Sequence, residues 1–163
     1  MTVGDPRPAD AAVRRDLTDI TATLQLQGGS GDDALTIDDT AHVAAAEAGV
    51  VDIGRVRGFG MGAAGGVDFS GFESLDLTLG NGADELTLVD TAIATTLHTD
   101  ATAGGRADRV LVRNAAAGAT IHLGAGDDEI TVLAATALTI GAGEGLDTVS
   151  FDVSGTAAAV KGA

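Results

Sequence analysis

A short glycine- and aspartate-rich motif recurs along the chain, and it restricts the fold more than any other feature. Three segments share the pattern G-x-G-x-D-x-U-T-U, in which U is an aliphatic residue; they are residues 29–37, 80–88 and 124–132. A stretched copy at 141–149 has two extra residues before its Asp, and a degraded copy ends at Val112. Recurrence of one short unit indicates a chain that stacks copies of that unit.

The spacing of the motif aspartates gives the period of the repeat. From Asp84 they fall at Asp108, Asp128 and Asp147, so the intervals are 24, 20 and 19 residues. Each interval holds short runs of alternating apolar and polar residues, such as 75–79, and none holds a sustained helical period. The sequence therefore predicts an all-β fold, a parallel β-helix or β-solenoid with short strands, Gly/Asp-rich turns and coils of about 20 residues.

The aliphatic positions of each motif are the predicted core. Side chains alternate between the two faces of a strand, so the two U residues share one face and the motif Thr faces solvent. The chain is 45% hydrophobic, with four Phe and neither Tyr nor Trp, which favours a narrow core. The predicted core residues of the three motifs are Leu35, Ile37, Leu86, Leu88, Ile130 and Val132.

The solenoid is predicted to occupy residues 17–153, between a flexible N-terminal flank (1–16) and a flexible C-terminal tail (154–163). The Ala-rich segment 42–49 is too short for a stable helix and is interpreted as a loop. The Gly-rich segment 58–66 is interpreted as a long turn between coils, because no Lys follows it as a phosphate-binding loop requires.

Charge and composition exclude several classes of partner. The formal net charge is −15, which repels the phosphates of nucleic acids. Without Cys there is neither a disulfide nor a thiolate metal site, and no apolar run approaches the about 18 residues of a membrane span. No classical secretory signal is visible in residues 1–20, and His42, His98 and His122 are too far apart in sequence to suggest a metal site.

The motif turns have the chemistry of a calcium site. Of 24 acidic residues 5 are Glu, which leaves 24 − 5 = 19 Asp, the acid of turns and of calcium loops. Gly permits a positive φ, so alternating Gly directs carbonyl oxygens to one side of the bend, and the Asp adds a carboxylate. Calcium takes about six to eight oxygens, so a stacked neighbouring turn must supply the remainder.

These turns resemble the G-G-x-G-x-D-x-U-x nonapeptides of the repeats-in-toxin family, which implies a parallel β-roll that binds Ca²⁺ between stacked turns and is exported by type I secretion. The stretch 58–79 resembles repeat modules of very large bacterial surface proteins. The motifs here recur at about twenty residues instead of nine, and the family's first Gly survives only as Gly28. Carried over by position, the metal-binding residues are Gly29, Gly31, Asp33, Gly80, Gly82, Asp84, Gly124, Gly126 and Asp128, with Asp32, Asp127 and Asp147 as further candidate ligands.

These observations predict a calcium-binding structural or adhesive module of an extracellular or cell-surface bacterial protein, not an enzyme. Its expected partners are calcium and neighbouring repeat modules, or further copies of itself joined end to end. A self-assembling filament or surface-layer subunit is the first alternative. A polysaccharide lyase is the second, with Arg106, Arg109 and Arg113 as its cationic residues.

Overall fold

The computed structural model describes residues 2–3, 15–42, 48–100, 104–152 and 159–162. These residues form two β-sheets and contain no helix. The seven-stranded sheet consists, in spatial order, of β1 (Thr2–Val3), β3 (Ala34–Asp38), β7 (Ser74–Thr78), β9 (Ala94–His98), β11 (Ala119–His122), β13 (Ala137–Gly141) and β15 (Ala159–Gly162). The eight-stranded sheet consists of β14 (Thr148–Phe151), β12 (Glu129–Val132), β10 (Arg109–Val112), β8 (Glu85–Leu88), β4 (Ala48–Asp52), β5 (Arg55–Gly58), β6 (Gly66–Ser70) and β2 (Thr23–Gln27).

From β7 to β15 successive strands alternate between the two sheets. Each of these strands from β9 onward pairs in parallel with the strand two places before it along the chain. The predicted all-β class and the predicted parallel pairing are confirmed for this part of the chain. The parallel register aligns the motif copies, since Glu85, Arg109, Glu129 and Thr148 are mutual partners across four strands.

The segment from β4 to β6 departs from the parallel pattern. β4 pairs with β5, and β5 pairs with β6, in antiparallel orientation. A two-residue turn joins β4 to β5, and its second residue, Gly54, has a φ of +69°. Such a tight turn returns the chain beside itself, so this segment forms a meander within an otherwise parallel sheet. The predicted turn at 58–66 lies between β5 and β6.

The hydrophobic core is one cluster to which both sheets contribute. The prediction for the aliphatic motif positions is confirmed, because Leu35, Ile37, Leu86, Leu88, Ile130 and Val132 are each at most 1% exposed. The intervening residues Thr36, Thr87 and Thr131 are half-buried on the opposite face of their strands.

Parts of the flanks and of one loop lie outside the described residues. Residues 1, 4–14, 154–158 and 163 of the predicted flexible flanks lie outside the described ranges, and so do residues 43–47 of the predicted loop at 42–49. Within the flanks, the backbone of β1 pairs with β3 and that of β15 pairs with β13.

Candidate functional site

Four motif aspartates stack in one column at the start of four neighbouring strands. Asp84, Asp108, Asp128 and Asp147 each lie one residue before β8, β10, β12 and β14, so the parallel register places them side by side. We call these four residues the aspartate ladder. The intervals of 24, 20 and 19 residues between these aspartates are therefore the lengths of chain between successive members of the column.

Backbone-to-carboxylate hydrogen bonds connect the ladder. The N–H of Asp84 donates to Oδ1 of Asp108 at 2.7 Å, and the N–H of Asp108 donates to Oδ1 of Asp128 at 2.8 Å. The N–H of Asp128 donates to Oδ1 of Asp147 at 3.1 Å. Each bond satisfies a backbone donor that the parallel ladder would otherwise leave open at the turn, and hydrogen bonds to a carboxylate are stronger than those to a neutral acceptor.

Two carboxylate oxygens inside the ladder, one on Asp108 and one on Asp128, have no such partner. Asp108 is 2% exposed and Asp128 is 1% exposed, and the Oδ2 atoms of both are buried without a hydrogen bond. Asp100 adds a third such atom beside them, since its Oδ2 accepts from the N–H of Ala125 at 2.9 Å while its Oδ1 is buried and unbonded. Buried polar atoms are normally satisfied, so three orphaned carboxylate oxygens in one region require an explanation.

Sequence reasoning did not find Asp100. Thr78, His98 and His122 are register partners, and two residues after each of them stand Gly80, Asp100 and Gly124. Asp100 therefore occupies the position that belongs to the first motif glycine in the neighbouring strands. Comparing the degraded copy with its neighbours by strand register, instead of by motif letters, would have revealed it.

The glycines around Asp100 make room for its carboxylate. A Cβ at Gly124, where φ is +90°, would lie 2.4 Å from the Asp100 Cβ, and a Cβ at Gly105 would lie 1.6 Å from the Asp100 Oδ2. Atoms cannot approach so closely. The absence of side chains at these two positions thus allows the Asp100 carboxylate to enter the turn.

Burial makes these carboxyls hard to ionise. Desolvation raises the pKa of Asp108 to about 7, against the lowering effects of the Asp84 N–H and the Thr99 side chain. Desolvation also raises the pKa of Asp128, to which the charges of Asp147 and Asp127 add, and the pKa of Asp100, to which the charge of Asp128 adds. Asp100 therefore repels both Asp108 and Asp128 when these groups are charged, and a nearby proton or cation is favoured.

The donor chemistry of this region fits a hard cation only in part. Three buried oxygens on Asp100, Asp108 and Asp128 lack hydrogen-bond donors and are of the type that calcium prefers. Among the described residues, however, no three or more His, Asp or Glu side chains are arranged to hold a metal ion. Calcium bound here would draw the remainder of its shell from carbonyl oxygens and water, or would require a side chain to turn.

The first motif lies apart from the ladder. Asp33 lies one residue before the paired Ala34 and Ser74 in the seven-stranded sheet, and the carboxylate of Glu73 accepts from the Asp33 N–H at 2.6 Å. One Asp33 oxygen is also buried without a hydrogen bond. The structure therefore brings together the aspartates of the second, third and fourth copies, and it places that of the first copy on the other sheet.

The third and fourth copies stack backbone on backbone. A Cβ at Gly143 would lie 1.7 Å from the Gly124 oxygen, and one at Gly145 would lie 1.8 Å from the Gly126 oxygen. The N–H of Leu146 donates to Oδ1 of the exposed Asp127 at 2.9 Å. The interpretation of the fourth copy as a stretched motif that begins at Gly141 is therefore wrong: Gly143, Gly145 and Asp147 align with Gly124, Gly126 and Asp128, with no extra residues between them.

The motif glycines serve different purposes in different copies. Gly29, Gly31, Gly124 and Gly126 have positive φ, as expected for turns that favour Gly. Gly80 does not, and it is required instead by a close approach, since a Cβ there would lie 1.7 Å from the His42 oxygen.

A second buried acid, Asp39, directly follows β3 in the seven-stranded sheet, and the sequence analysis did not identify it. Asp39 is 3% exposed, and its Oδ1 accepts from the N–H of Leu17 at 2.8 Å. Burial raises the pKa of Asp39 to about 7, while this hydrogen bond and the neighbouring His42 lower it. It follows β3 directly and belongs to no motif copy, so the repeat pattern gave no signal for it.

No family model, curated protein or solved structure matches this chain. Within the described ranges no helix is long and apolar enough to cross a membrane.

Proposed function

We propose that this chain is a calcium-binding structural or adhesive β-solenoid module of an extracellular bacterial protein. The observation that carries the proposal is the set of three buried, unbonded carboxylate oxygens on Asp100, Asp108 and Asp128. A cation bound to one or more of them, with carbonyl oxygens and water completing its shell, would satisfy those oxygens and would reduce the repulsion among the carboxylates.

The path of the chain from β7 to β15 supports the proposed solenoid. Strands alternate between two sheets with parallel pairing, and the aspartate column returns after 24, 20 and 19 residues. One coil of the chain per repeat accounts for both facts. Each coil then contributes one layer of side chains to the core and one aspartate to the ladder.

Calcium is the preferred cation because of the ligands and the charge. Carboxylate and carbonyl oxygens in flexible turns suit its variable coordination, whereas magnesium demands a near-ideal octahedron. The net charge of −15 destabilises a compact chain through self-repulsion, and each bound divalent ion would reduce it. The module would therefore be stiff where calcium is abundant, which suits a rod that carries other domains outside the cell. The extracellular location itself rests on the resemblance of the turns to the repeats-in-toxin family.

The direct test is an isothermal titration of the chain with calcium. We expect saturable binding that is lost or strongly weakened when Asp100, Asp108 and Asp128 are all replaced by Asn. A matched control replaces the exposed Asp19, Asp76 and Asp152 by Asn, which changes the charge equally and should leave the binding intact. The absence of saturable heat at millimolar calcium would contradict the proposal.

A further inference from the structure

The two edges of the eight-stranded sheet expose side chains that continue the core. Val149 and Phe151 on β14 are 40% and 44% exposed, although their register partners Ile130 and Val132 are each 0% exposed. At the other edge Leu24 on β2 is 40% exposed, beside its fully buried partner Val67. Both edges thus present apolar side chains in positions that are buried one strand further in.

We infer that copies of this chain associate head to tail, with β14 of one copy pairing in parallel with β2 of the next. The proposed register places Val149 opposite Leu24 and Phe151 opposite Leu26. The occupant of each edge is then a second copy of the chain, and the eight-stranded sheet continues from copy to copy.

Strand direction permits this arrangement. All pairs in the eight-stranded sheet are parallel except β4 with β5 and β5 with β6, and these two reversals cancel. β2 and β14 therefore run in the same direction. Copies placed one above another in the same orientation bring these two edges together in parallel, as the neighbouring strands already are.

The hydrogen-bonding groups at the two edges are complementary in the same register. Thr148 and Asp152 donate their N–H groups to carbonyls beside and on β12, so the alternating N–H groups of Val149 and Phe151 point to the side of β14 that no described strand covers. On β2 the N–H of Gly28 donates to Ser70, so those of Thr23, Gln25 and Gln27 point outward. A residue in a parallel pair bonds to the two residues that flank its partner, so Val149 opposite Leu24 would bond to Thr23 and Gln25.

Charge favours unlike edges over like edges. Asp147 and Asp152 flank β14, so two β14 edges would bring acids against acids, whereas β2 has the uncharged sequence TLQLQ. A β14 edge therefore meets less repulsion on β2 than on another β14. Such a contact joins two different surfaces, and each copy is related to the next by a translation. The copies therefore form an open filament and do not close into a dimer.

Light scattering after size exclusion tests this inference with two edge variants, Leu24→Lys and Phe151→Lys. We expect the mass of the wild-type chain to rise with concentration above 16.0 kDa, and more steeply at high ionic strength. Each variant keeps one intact edge, so each alone should remain at 16.0 kDa, while an equimolar mixture should reach twice that mass. Thr96→Lys, on the outer face of the other sheet, is the control and should associate as the wild type does.

Two outcomes would overturn the inference. One is a wild-type chain that stays monomeric up to millimolar concentration, and the other is a Leu24→Lys variant that dimerises alone, which would indicate pairing of two β14 edges. If Phe151→Lys does not fold, Val149→Pro replaces it, since this change removes an outward-pointing N–H while leaving the bonds of Thr148 and Asp152. Running each sample with calcium and with chelator separates this inference from the proposed function, because the edge contacts involve none of Asp100, Asp108 and Asp128.

Discussion

The backbone N–H of Asp108 donates to the Asp128 carboxylate at 2.8 Å across 20 residues of sequence. This bond uses Oδ1 of Asp128 and leaves its buried Oδ2 without a partner. The motif aspartate thus performs two tasks: one oxygen joins neighbouring turns, and the other remains for a cation or a proton. A turn residue with only a structural role would need the first oxygen alone.

Replacing Asp128 by Asn separates these two tasks. Asn keeps an oxygen for the Asp108 N–H but removes the charge, so without calcium the free energy of unfolding should stay the same or increase. The stabilisation that calcium provides should shrink by up to one site's share, about 1.4 kcal/mol with calcium at ten times its dissociation constant. Denaturant unfolding with and without calcium measures both quantities. Asp76→Asn, an exposed position on β7 of the other sheet, is the control; an equal calcium increment in the two variants would exclude Asp128 as a ligand.

The stability of the calcium-free chain should fall as pH rises from 4 towards 8. Asp108 has a folded pKa of about 7 against 3.8 when unfolded, so between these values the folded state binds more protons. The stability it contributes is fully present below 3.8 and is lost as pH rises through about 7. Asp39 adds an effect of the same sign. Melting temperatures across this range should vary less for Asp108→Asn than for the wild type, and an unchanged slope would refute the assignment to Asp108.

Calcium binding near pH 7 should release protons. Asp108 is partly protonated there, and a cation among the carboxylates displaces the proton. Titration in two buffers of different ionisation enthalpy should therefore give different apparent binding heats. Identical heats would mean that calcium binds without involving Asp108.

Truncating the core should cost far more than truncating the surface. Leu86 is 1% exposed and Ile130 is 0% exposed, so replacing either by Ala should lower the free energy of unfolding by about 2–5 kcal/mol. Leu146, which is 83% exposed, provides the control, with a change within about 0.5 kcal/mol. Chemical denaturation measures all three, and equal losses would contradict the assigned orientation of β8 and β12.

Gly124→Ala should destabilise the chain more than Gly29→Ala. Both positions have positive φ, which costs a residue with a Cβ about 1–2 kcal/mol. A Cβ at Gly29 meets nothing within 4 Å, whereas one at Gly124 would lie 2.4 Å from the Asp100 Cβ. Gly124→Ala should therefore also weaken calcium binding by displacing Asp100. Comparable unfolding energies and calcium affinities for the two variants would argue against this packing.

The motif letters were sufficient to predict what depends on local sequence. Alternation around Thr87 and Thr131 predicts which aliphatic residues are buried, and the intervals of 24 and 20 residues between Asp84, Asp108 and Asp128 predict that one aspartate recurs in each coil. Both follow from the geometry of short strands joined by Gly-rich turns.

What the sequence did not reveal depends on pairing between distant strands. The motif at Asp33 has the same letters as that at Asp128, yet its strand joins the other sheet, which only the pairing of β3 with β7 reveals. Asp100 replaces a motif glycine, so only the register of β9 against β11 shows that it lies beside the ladder. Neither fact is contained in any local pattern.

The central claim is that calcium completes this fold at the buried aspartates, and thermal unfolding in matched solutions tests it most directly. The melting temperature should rise in millimolar calcium relative to chelator, and it should rise much less in magnesium at the same ionic strength. The variant with Asp100, Asp108 and Asp128 all replaced by Asn should melt at the same temperature in all three solutions. A wild-type melting temperature that is equal in calcium and in chelator would contradict the account.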